Sequence, residues 1–504
     1  MVDLLCRDEE KKVLESLYSS QDPEFLAIYG RRRVGKTFLI RQFFKVKEAQ
    51  ESAIFFNVTG TKKAPLQTQI SHFTQQISEV FFKGITLEAG NTWDKSLELL
   101  TRTIREHAPQ DKKIILFFDE LPWMATRNSR LLGALDYYWN QHWSNDPRIK
   151  LIICGSSTSW IIDKVIQDKG GLHNRITREI HLEPFDLSQS KKFLVHRGIQ
   201  LSHRQILLLF MLTGGVPYYL TKIEKGLSAI QIIEQLAFSK KAFFLDEFDK
   251  LFSSLFDNPD FHIAAIKAIS ENQYGIGERK LLEKMGPHWV GGTGKKVLKE
   301  LEQSGFIMSF KPIFNKKRGT YYRLFDEYVA FYLRWIEPIR FSLERKALEQ
   351  GSWQEMQSTP EWYSWLGYAF ESVCYKHLSK IKKALKLSPS AESGTWRHIP
   401  NAKSADSDNN NRDNKNNRGA QIDLLFDRKD DAITLCEIKY SEEPFILTKE
   451  QVENLQRRVQ IFKEKTGTQK QIFIAMICAG GLKNNYYAED LISGIVSLED
   501  FFDA

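Results

Sequence analysis

The chain has 504 residues, 42% hydrophobic and 12% aromatic, with 71 Lys and Arg against 63 Asp and Glu for a formal net charge of +8. That length exceeds what one hydrophobic core serves and predicts roughly two to four domains, while so small a positive excess permits contact with a polyanion without demanding it. Five scattered cysteines without CxxC spacing or a His-rich cluster argue against a disulfide framework or a zinc site and fit a reducing compartment.

The opening residues MVDLLCRDEEKK lack the basic-then-apolar pattern of a secretory signal. An apolar run such as ILLLFML at 206–212 falls far short of the ~20 residues that span a bilayer. A soluble, cytoplasmic protein with no membrane partner is expected.

In chain order, 1–185 alternates short apolar runs (EFLAIYG, SAIFFNV, KIILFFDE, IKLIICGSS) with stretches of helical periodicity. Continuous apolar strands alternating with helices predict a parallel sheet covered on both faces. From 186 to 257 the pattern is helical, broken by TGGVP, because Gly-Gly and Pro both interrupt a helix. Residues 258–335 hold three helical patterns and then two β-prone runs around a Lys-Lys-Arg-Gly turn, which suggests a winged helix.

Linker helices and a last α/β domain are expected over 336–504. Its strands AQIDLLFD, AITLCEIKY, KQIFIAMICAGG and GIVSL follow an almost apolar-free tract near 401–418 that is predicted to be a disordered insertion. No internal repeat is visible.

The most specific motif is GRRRVGKT, Gly30 to Thr37, which satisfies G-x-x-x-x-G-K-[ST] between a strand and a helix. Glycines such as Gly30 and Gly35 let the loop wrap a phosphate. Backbone N–H groups of Arg31, Arg32, Arg33, Val34 and Phe38, together with the helix N-terminus, supply positive potential. Lys36 is placed to reach the β- and γ-phosphates of a bound nucleotide, and Thr37 to ligate Mg²⁺.

The acidic pair closing IILFFDE then acquires a purpose. Asp119 is the candidate for the Mg²⁺ shell, and Glu120 for the general base that orients and deprotonates water. A third strand ends LIICGSS, which makes Ser156, with Ser157 behind it, the candidate sensor of the γ-phosphate. Farther on, Arg175 and Arg178 are candidates for an arginine finger on a neighbouring subunit of a homo-oligomer, with surface salt bridges the plain alternative.

RDEEKKVLESL, YGRRRVGKTFLIRQF, FFDELPWM, CGSS, NRITREIHLEPF and GGVPYYL together resemble the prokaryotic archaeal-type ATPases of the STAND branch of the AAA+ superfamily. The resemblance implies an ATPase core, a helical lid, a winged helix and a restriction-endonuclease-like C-terminal domain, in that order. It implies ATP between core and lid with Arg7 near the adenine. It also implies that the GGxP motif, Gly214, Gly215 and Pro217, couples nucleotide state to the domains beyond.

In the last domain, Asp423 in QIDLLFD is followed by Glu437 and Lys439 on the next strand, on one face because strand side chains alternate. Asp and then Glu-x-Lys resembles the PD-(D/E)xK nuclease site. The likeness implies Mg²⁺ or Mn²⁺ on the carboxylates, Glu371 as a third, and Lys439 positioning or activating water for phosphodiester hydrolysis. Ile422 stands where that motif is named for proline, so an inactive domain kept for binding stays open beside an active nuclease.

Lys295, Lys296 and Lys299 on a candidate recognition helix, and Lys316, Lys317 and Arg318 in its wing, are candidate phosphate contacts. The leading expectation is an ATP-dependent switch coupled to a metal-dependent nuclease acting on nucleic acid, DNA in the first instance. The alternative is an ATP-dependent scaffold that grips a macromolecular partner without cutting.

Overall fold

Each apolar run of the first third has no polar face to give to water, so it can only be an interior strand. In the computed structural model, which describes residues 4–126, 128–167, 171–289, 292–314, 319–345, 352–398 and 419–503, these runs are β1 (Glu24–Tyr29), β2 (Ala53–Thr59), β3 (Lys113–Asp119) and β4 (Ile149–Gly155). With β5 (Arg178–His181) they form a five-stranded parallel sheet of order β2-β3-β4-β1-β5. The register pairs Thr59 with Asp119 and Tyr29 with Gly155, so the polar residues that end each strand collect along one edge.

Helix Lys36–Ala49 and its neighbours close one face around Leu26, Ile28, Phe117 and Ile152. Helices Leu66–Phe82, Trp93–His107 and Leu131–Gln141 close the other around Phe25, Phe56, Leu116 and Ile153. Strand β5 carries no readable pattern: of its four residues only Ile180 is buried, and an edge strand with one apolar anchor shows no alternation.

The helical stretch forms as its punctuation requires. Helix His203–Thr213 stops at Gly214, whose φ of 59° is left-handed, and Pro217 opens the short helix Pro217–Leu220. Helices Pro259–Ser270, Glu278–Met285 and Gly292–Gln303 follow, with β6 (Ile276–Gly277), β7 (Ile307–Phe310) and β8 (Tyr321–Leu324) in an antiparallel sheet of order β6-β8-β7. This unit is termed the hairpin module below. Lys316, Lys317 and Arg318 lie outside the described residues.

The C-terminal part packs helix Pro360–Lys376 against a mixed sheet of order β13-β12-β11-β10-β9. The strands are β9 (Glu392–His398), β10 (Ala420–Asp427), β11 (Ala432–Lys439), β12 (Gln471–Cys478) and β13 (Gly494–Ser497). Strand β9 was not anticipated either, since Trp396 is its one buried side chain. The tract 401–418 lies outside the described residues. A continuous apolar core runs from Phe185 through the hairpin module to Phe502, knitted by Trp335, Trp353, Trp362 and Trp365. Smaller separate clusters form around Trp396, Leu425 and Phe462 and around Leu447 and Leu455. Among the described residues, no helix is long and apolar enough to cross a membrane.

Candidate nucleotide site and C-terminal acidic site

Between β1 and helix Lys36–Ala49 the backbone takes left-handed turns at Gly30 (φ 136°), Arg33 (φ 72°) and Gly35 (φ 95°). At Gly30 a Cβ would run into the Leu182 carbonyl oxygen, so only glycine lets the loop approach the end of β5. Lys36 is folded into its own loop, donating to the carbonyls of Gly30 (2.7 Å) and Arg31 (3.0 Å). Burial pulls its ammonium below the ordinary lysine range, against the opposing pull of Cys154, Glu120 and Asp119. The loop floors a cavity of about 900 Å³ lined by Arg7, Arg32, Arg33, Val34, Gly35, Lys36, Thr37, Phe38, Glu120, Ser156 and Pro217.

At the end of β3, Asp119 is buried and its Oδ1 accepts from the Thr37 hydroxyl at 3.0 Å. Its Oδ2 accepts from Thr59 at 3.4 Å and lies 3.9 Å from the Arg41 guanidinium. Glu120 sits in the left-handed region, φ 50°, and Gly60 gives that turn room because a Cβ there would press on the Glu120 carbonyl oxygen. Strain of this kind is stored where a side chain must be aimed. The Ser156 N–H donates to Glu120 Oε2 at 3.0 Å and the Ser156 hydroxyl donates to Oε1. Ser156 thus holds the Glu120 carboxylate at the cavity wall, whereas the sequence suggested that it faces phosphate directly.

The donor set fits a Mg²⁺ ion carried with a nucleotide: one carboxylate and one hydroxyl within hydrogen-bond distance, with open space for phosphate oxygens beside them.

Other predicted residues are placed differently. Arg7 borders the cavity, but its guanidinium donates to the carbonyls of Val34 (3.1 Å) and Glu183 (2.9 Å) and covers the Phe185 ring at 4.6 Å. It fastens the loop to the segment after β5. Arg31 turns away from the cavity to pair with Asp326 at 2.7 Å, both side chains buried. Arg33 pairs with Glu247 of helix Phe243–Leu255 at 2.7 Å and lies over Tyr218 at 4.4 Å. Arg32 reaches the Lys250 carbonyl at 3.3 Å. The loop's consecutive arginines therefore bind elements some 200 to 300 residues away in sequence.

Gly215 accepts from the Phe185 N–H at 2.9 Å, and a Cβ on it would overlap the Phe185 carbonyl oxygen. It serves the junction between strand and helices and does not line the cavity. Arg178 is bound to Glu24 and Ser16 within its own chain. Arg175 is half-exposed, 3.9 Å from Asp136.

In the C-terminal sheet, Asp423 and Glu437 each stand one residue beyond the paired Leu424 and Cys436 of β10 and β11, so they share a face. Asp423 Oδ2 accepts from the Ile438 N–H at 3.3 Å, and its backbone oxygen accepts from the Tyr375 hydroxyl. Burial, and then the charge of Glu437, pushes Asp423 up to about 6. On helix Pro360–Lys376, burial and then Asp423 push Glu371 up to about 8.

Glu437 is engaged on both oxygens by Arg458 of helix Lys449–Thr466 (2.8 and 3.0 Å) and by Lys439 at 2.7 Å. Against the cost of burial, Lys439 and then Arg458 hold its carboxyl below the ordinary range. Among the described residues, no three His, Cys, Asp or Glu side chains come together as a metal-holding group. The predicted residues are thus gathered, but as arranged they do not fit a divalent cation: an arginine occupies the carboxylate such an ion would need.

Of the helix lysines, Lys299 pairs with Asp163 of the parallel-sheet unit at 2.7 Å, Lys296 lies 3.7 Å from Glu300 and Lys295 lies 4.0 Å from Glu278.

Sequence reasoning missed Arg458, Glu247, Asp326 and Glu327. Glu327 is buried and pairs with Lys376 at 2.5 Å, next to Tyr375 of the acidic site. A signal did exist, because RLFDEY at 323–328 repeats the apolar-then-Asp-Glu pattern of LFFDEL at 116–121.

Comparison with known proteins agrees with this geometry. Residues 4–223 match the model of a family described as an ATPase domain predominantly from Archaea. An uncharacterised protein of Methanocaldococcus jannaschii is 27% identical over 445 residues, 86% of this chain and 87% of that protein. An uncharacterised ATP-binding protein of the same organism is 41% identical over 55 residues, 11% of this chain and 93% of that protein. Among solved structures, the Walker-type ATPase of Pyrococcus abyssi is 21% identical with a TM-score of 0.44, covering 66% of this chain and 96% of that one. The ORC2 protein of Aeropyrum pernix in its ADPNP–ADP complexes is 16% identical with a TM-score of 0.42, covering 68% of this chain and 95% of that one. Over residues 4–223, the chain is therefore similar to P-loop ATPase domains found predominantly in Archaea.

Proposed function

We propose that the chain is an ATP-binding and ATP-hydrolysing switch whose C-terminal domain acts on nucleic acid, DNA in the first instance. The observation that carries the ATPase part is the Lys36, Thr37, Asp119, Glu120 and Ser156 constellation around one cavity.

ATP enters with its phosphates over the loop, and Lys36 exchanges the Gly30 and Arg31 carbonyls for phosphate oxygens. Thr37 and Asp119 would hold Mg²⁺, which would supply neutralisation of charge on the phosphates. Glu120, held by Ser156, orients a water and takes its proton as the oxygen bonds to the γ-phosphorus and ADP leaves. Pro217, Gly214 and Gly215 serve as the lid junction that follows the loop.

The test is nucleotide binding and turnover in three variants. Lys36→Ala loses binding. Glu120→Gln keeps binding and loses about 10²–10⁴ in turnover. Ser156→Ala lowers kcat with KM little changed. Full turnover in Glu120→Gln would place the base elsewhere.

For the C-terminal domain, the reading that it cuts rests on Asp423, Glu437, Lys439 and Glu371 lying together on one sheet face and the adjacent helix. The second reading, a scaffold that binds without cutting, is favoured by Arg458, which covers both oxygens of Glu437. Cleavage assays with Mg²⁺ or Mn²⁺ on wild type, Glu437→Ala and Lys439→Ala separate the two. Cleavage lost in both variants establishes the nuclease. No cleavage by wild type in any nucleotide state establishes the scaffold. Arg175 as a finger across a homo-oligomer is tested alongside, by turnover against protein concentration.

A further inference from the structure

Beside Glu371 and Asp423, where the hairpin module meets helix Pro360–Lys376, three units contribute aromatic and cationic side chains to one surface. Tyr274, just before β6, is 41% exposed, and its hydroxyl lies 3.1 Å from that of Tyr368 on the helix. The two rings meet edge-on at 5.8 Å. Arg397, exposed on β9, lies over the Tyr274 ring at 4.9 Å and meets no carboxylate among the described residues. Deeper in, Arg323 of β8 lies over the Tyr375 ring at 3.4 Å, and its Nε and Nη2 are buried with no hydrogen-bond partner. A guanidinium has five donors in a fixed fork, and leaving two unmade in a buried place is costly unless something else accepts from them.

Tyr368, Arg323 and Glu371 also line a cavity of about 540 Å³ that opens here. Several acids on its wall are already neutralised: Asp326 by Arg31, Glu327 by Lys376 and Glu271 by Lys284.

We propose that this surface is a platform for single-stranded nucleic acid, with an unpaired base stacked on Tyr274 and the adjoining phosphates held by Arg397 and Arg323. Stacking needs a free base face, which a duplex does not offer, and arginine beside an aromatic ring reads phosphate and base together. The platform lies at the acidic site and takes residues from both the hairpin module and the C-terminal sheet, so it is complete only while the two are docked. It rests on the reading that the C-terminal domain engages nucleic acid and is independent of whether it cuts.

The experiment is anisotropy of a labelled single-stranded oligonucleotide with the full chain in EDTA, which separates binding from any cleavage. A duplex of the same sequence and inorganic tripolyphosphate serve as competitors. Single strand should outcompete duplex. Tyr274→Ala should weaken binding by about 5- to 100-fold, Arg397→Gln should also weaken it, and ATP turnover should stay unchanged in both. Arg323→Gln should weaken binding as well; should it fail to fold, the two surface variants decide. Equal binding by Tyr274→Ala and wild type, or complete competition by tripolyphosphate, would overturn the proposal. Cleavage by wild type with binding indifferent to these variants refutes the platform alone. Variant-sensitive binding without cleavage refutes only the nuclease reading.

Discussion

The Arg31–Asp326 pair offers a quantitative test of how the nucleotide loop is tied to the rest of the chain. The two groups are 2.7 Å apart, 6% and 4% exposed, with Arg31 also near the rings of Tyr219 (5.6 Å) and Phe306 (5.8 Å). At an effective dielectric of about 20, charges at this separation attract by about 6 kcal/mol. Burial of both ions offsets most of that, yet deleting one partner leaves the other charge uncompensated and costs about 3–5 kcal/mol.

Asp326→Asn isolates the charge, because Asp326 Oδ1 also accepts from the Val329 N–H as a helix cap (2.9 Å) and asparagine caps equally well. With unfolding entropy near 2.1 cal/mol/K per residue, a cooperative unit of about 300 residues should melt on the order of 6 °C lower in Asp326→Asn, and similarly in Arg31→Met. The double variant should recover much of that loss, because no lone charge remains. Calorimetry of wild type, both singles and the double closes the cycle. Single losses below about 1 °C, or a double loss equal to the sum of the singles, would refute a buried, mutually dependent pair.

Three further outcomes follow from other contacts. Gly215→Ala should cost about 2 kcal/mol or more, since φ is 68° and a Cβ would overlap the Phe185 oxygen; melting within 1 °C of wild type would show that the junction yields. Arg458→Gln should free Glu437, so that Mn²⁺ raises the melting temperature of the variant more than that of wild type; equal responses would show that Arg458 does not stand in a cation's place. Glu371, raised from 4.5 to about 8, binds its proton more tightly in the native state, so its contribution is full below pH 4.5 and is lost as pH rises toward 8; Glu371→Gln should flatten that part of a stability–pH curve.

What was legible in the sequence was local. Gly30, Gly35, Lys36 and Thr37 act through spacing within one strand–loop–helix unit, and FFDE announces itself as an acidic end to an apolar run. TGGVP marked its helix stop for the same reason. What stayed hidden depends on partners far along the chain. Nothing near Arg31 or Arg33 distinguishes a phosphate ligand from a residue that pairs with Asp326 or Glu247, and the loop's arginines were read as phosphate contacts by position alone. Arg458 sits in an ordinary amphipathic helix, and only the fold brings it to Glu437. Strands β5 and β9, each with one buried side chain, carry no periodicity to read.

The second Asp-Glu pair matters most for how the proposed switch would work. Asp326 caps a helix that Glu327 begins, so the two residues sit together at its start. Asp326 is held by Arg31 of the nucleotide loop, and Glu327 by Lys376 of the helix that also carries Glu371 and Tyr375. Gly214 leaves the space that the Glu327 carboxylate fills, which brings the lid junction into the same contact. Under the proposed function, a nucleotide that draws the loop toward its phosphates shifts Arg31 and loads both acids at once. A chain of two ion pairs, Arg31–Asp326 and Glu327–Lys376, thus links the nucleotide loop to the helix that carries Glu371.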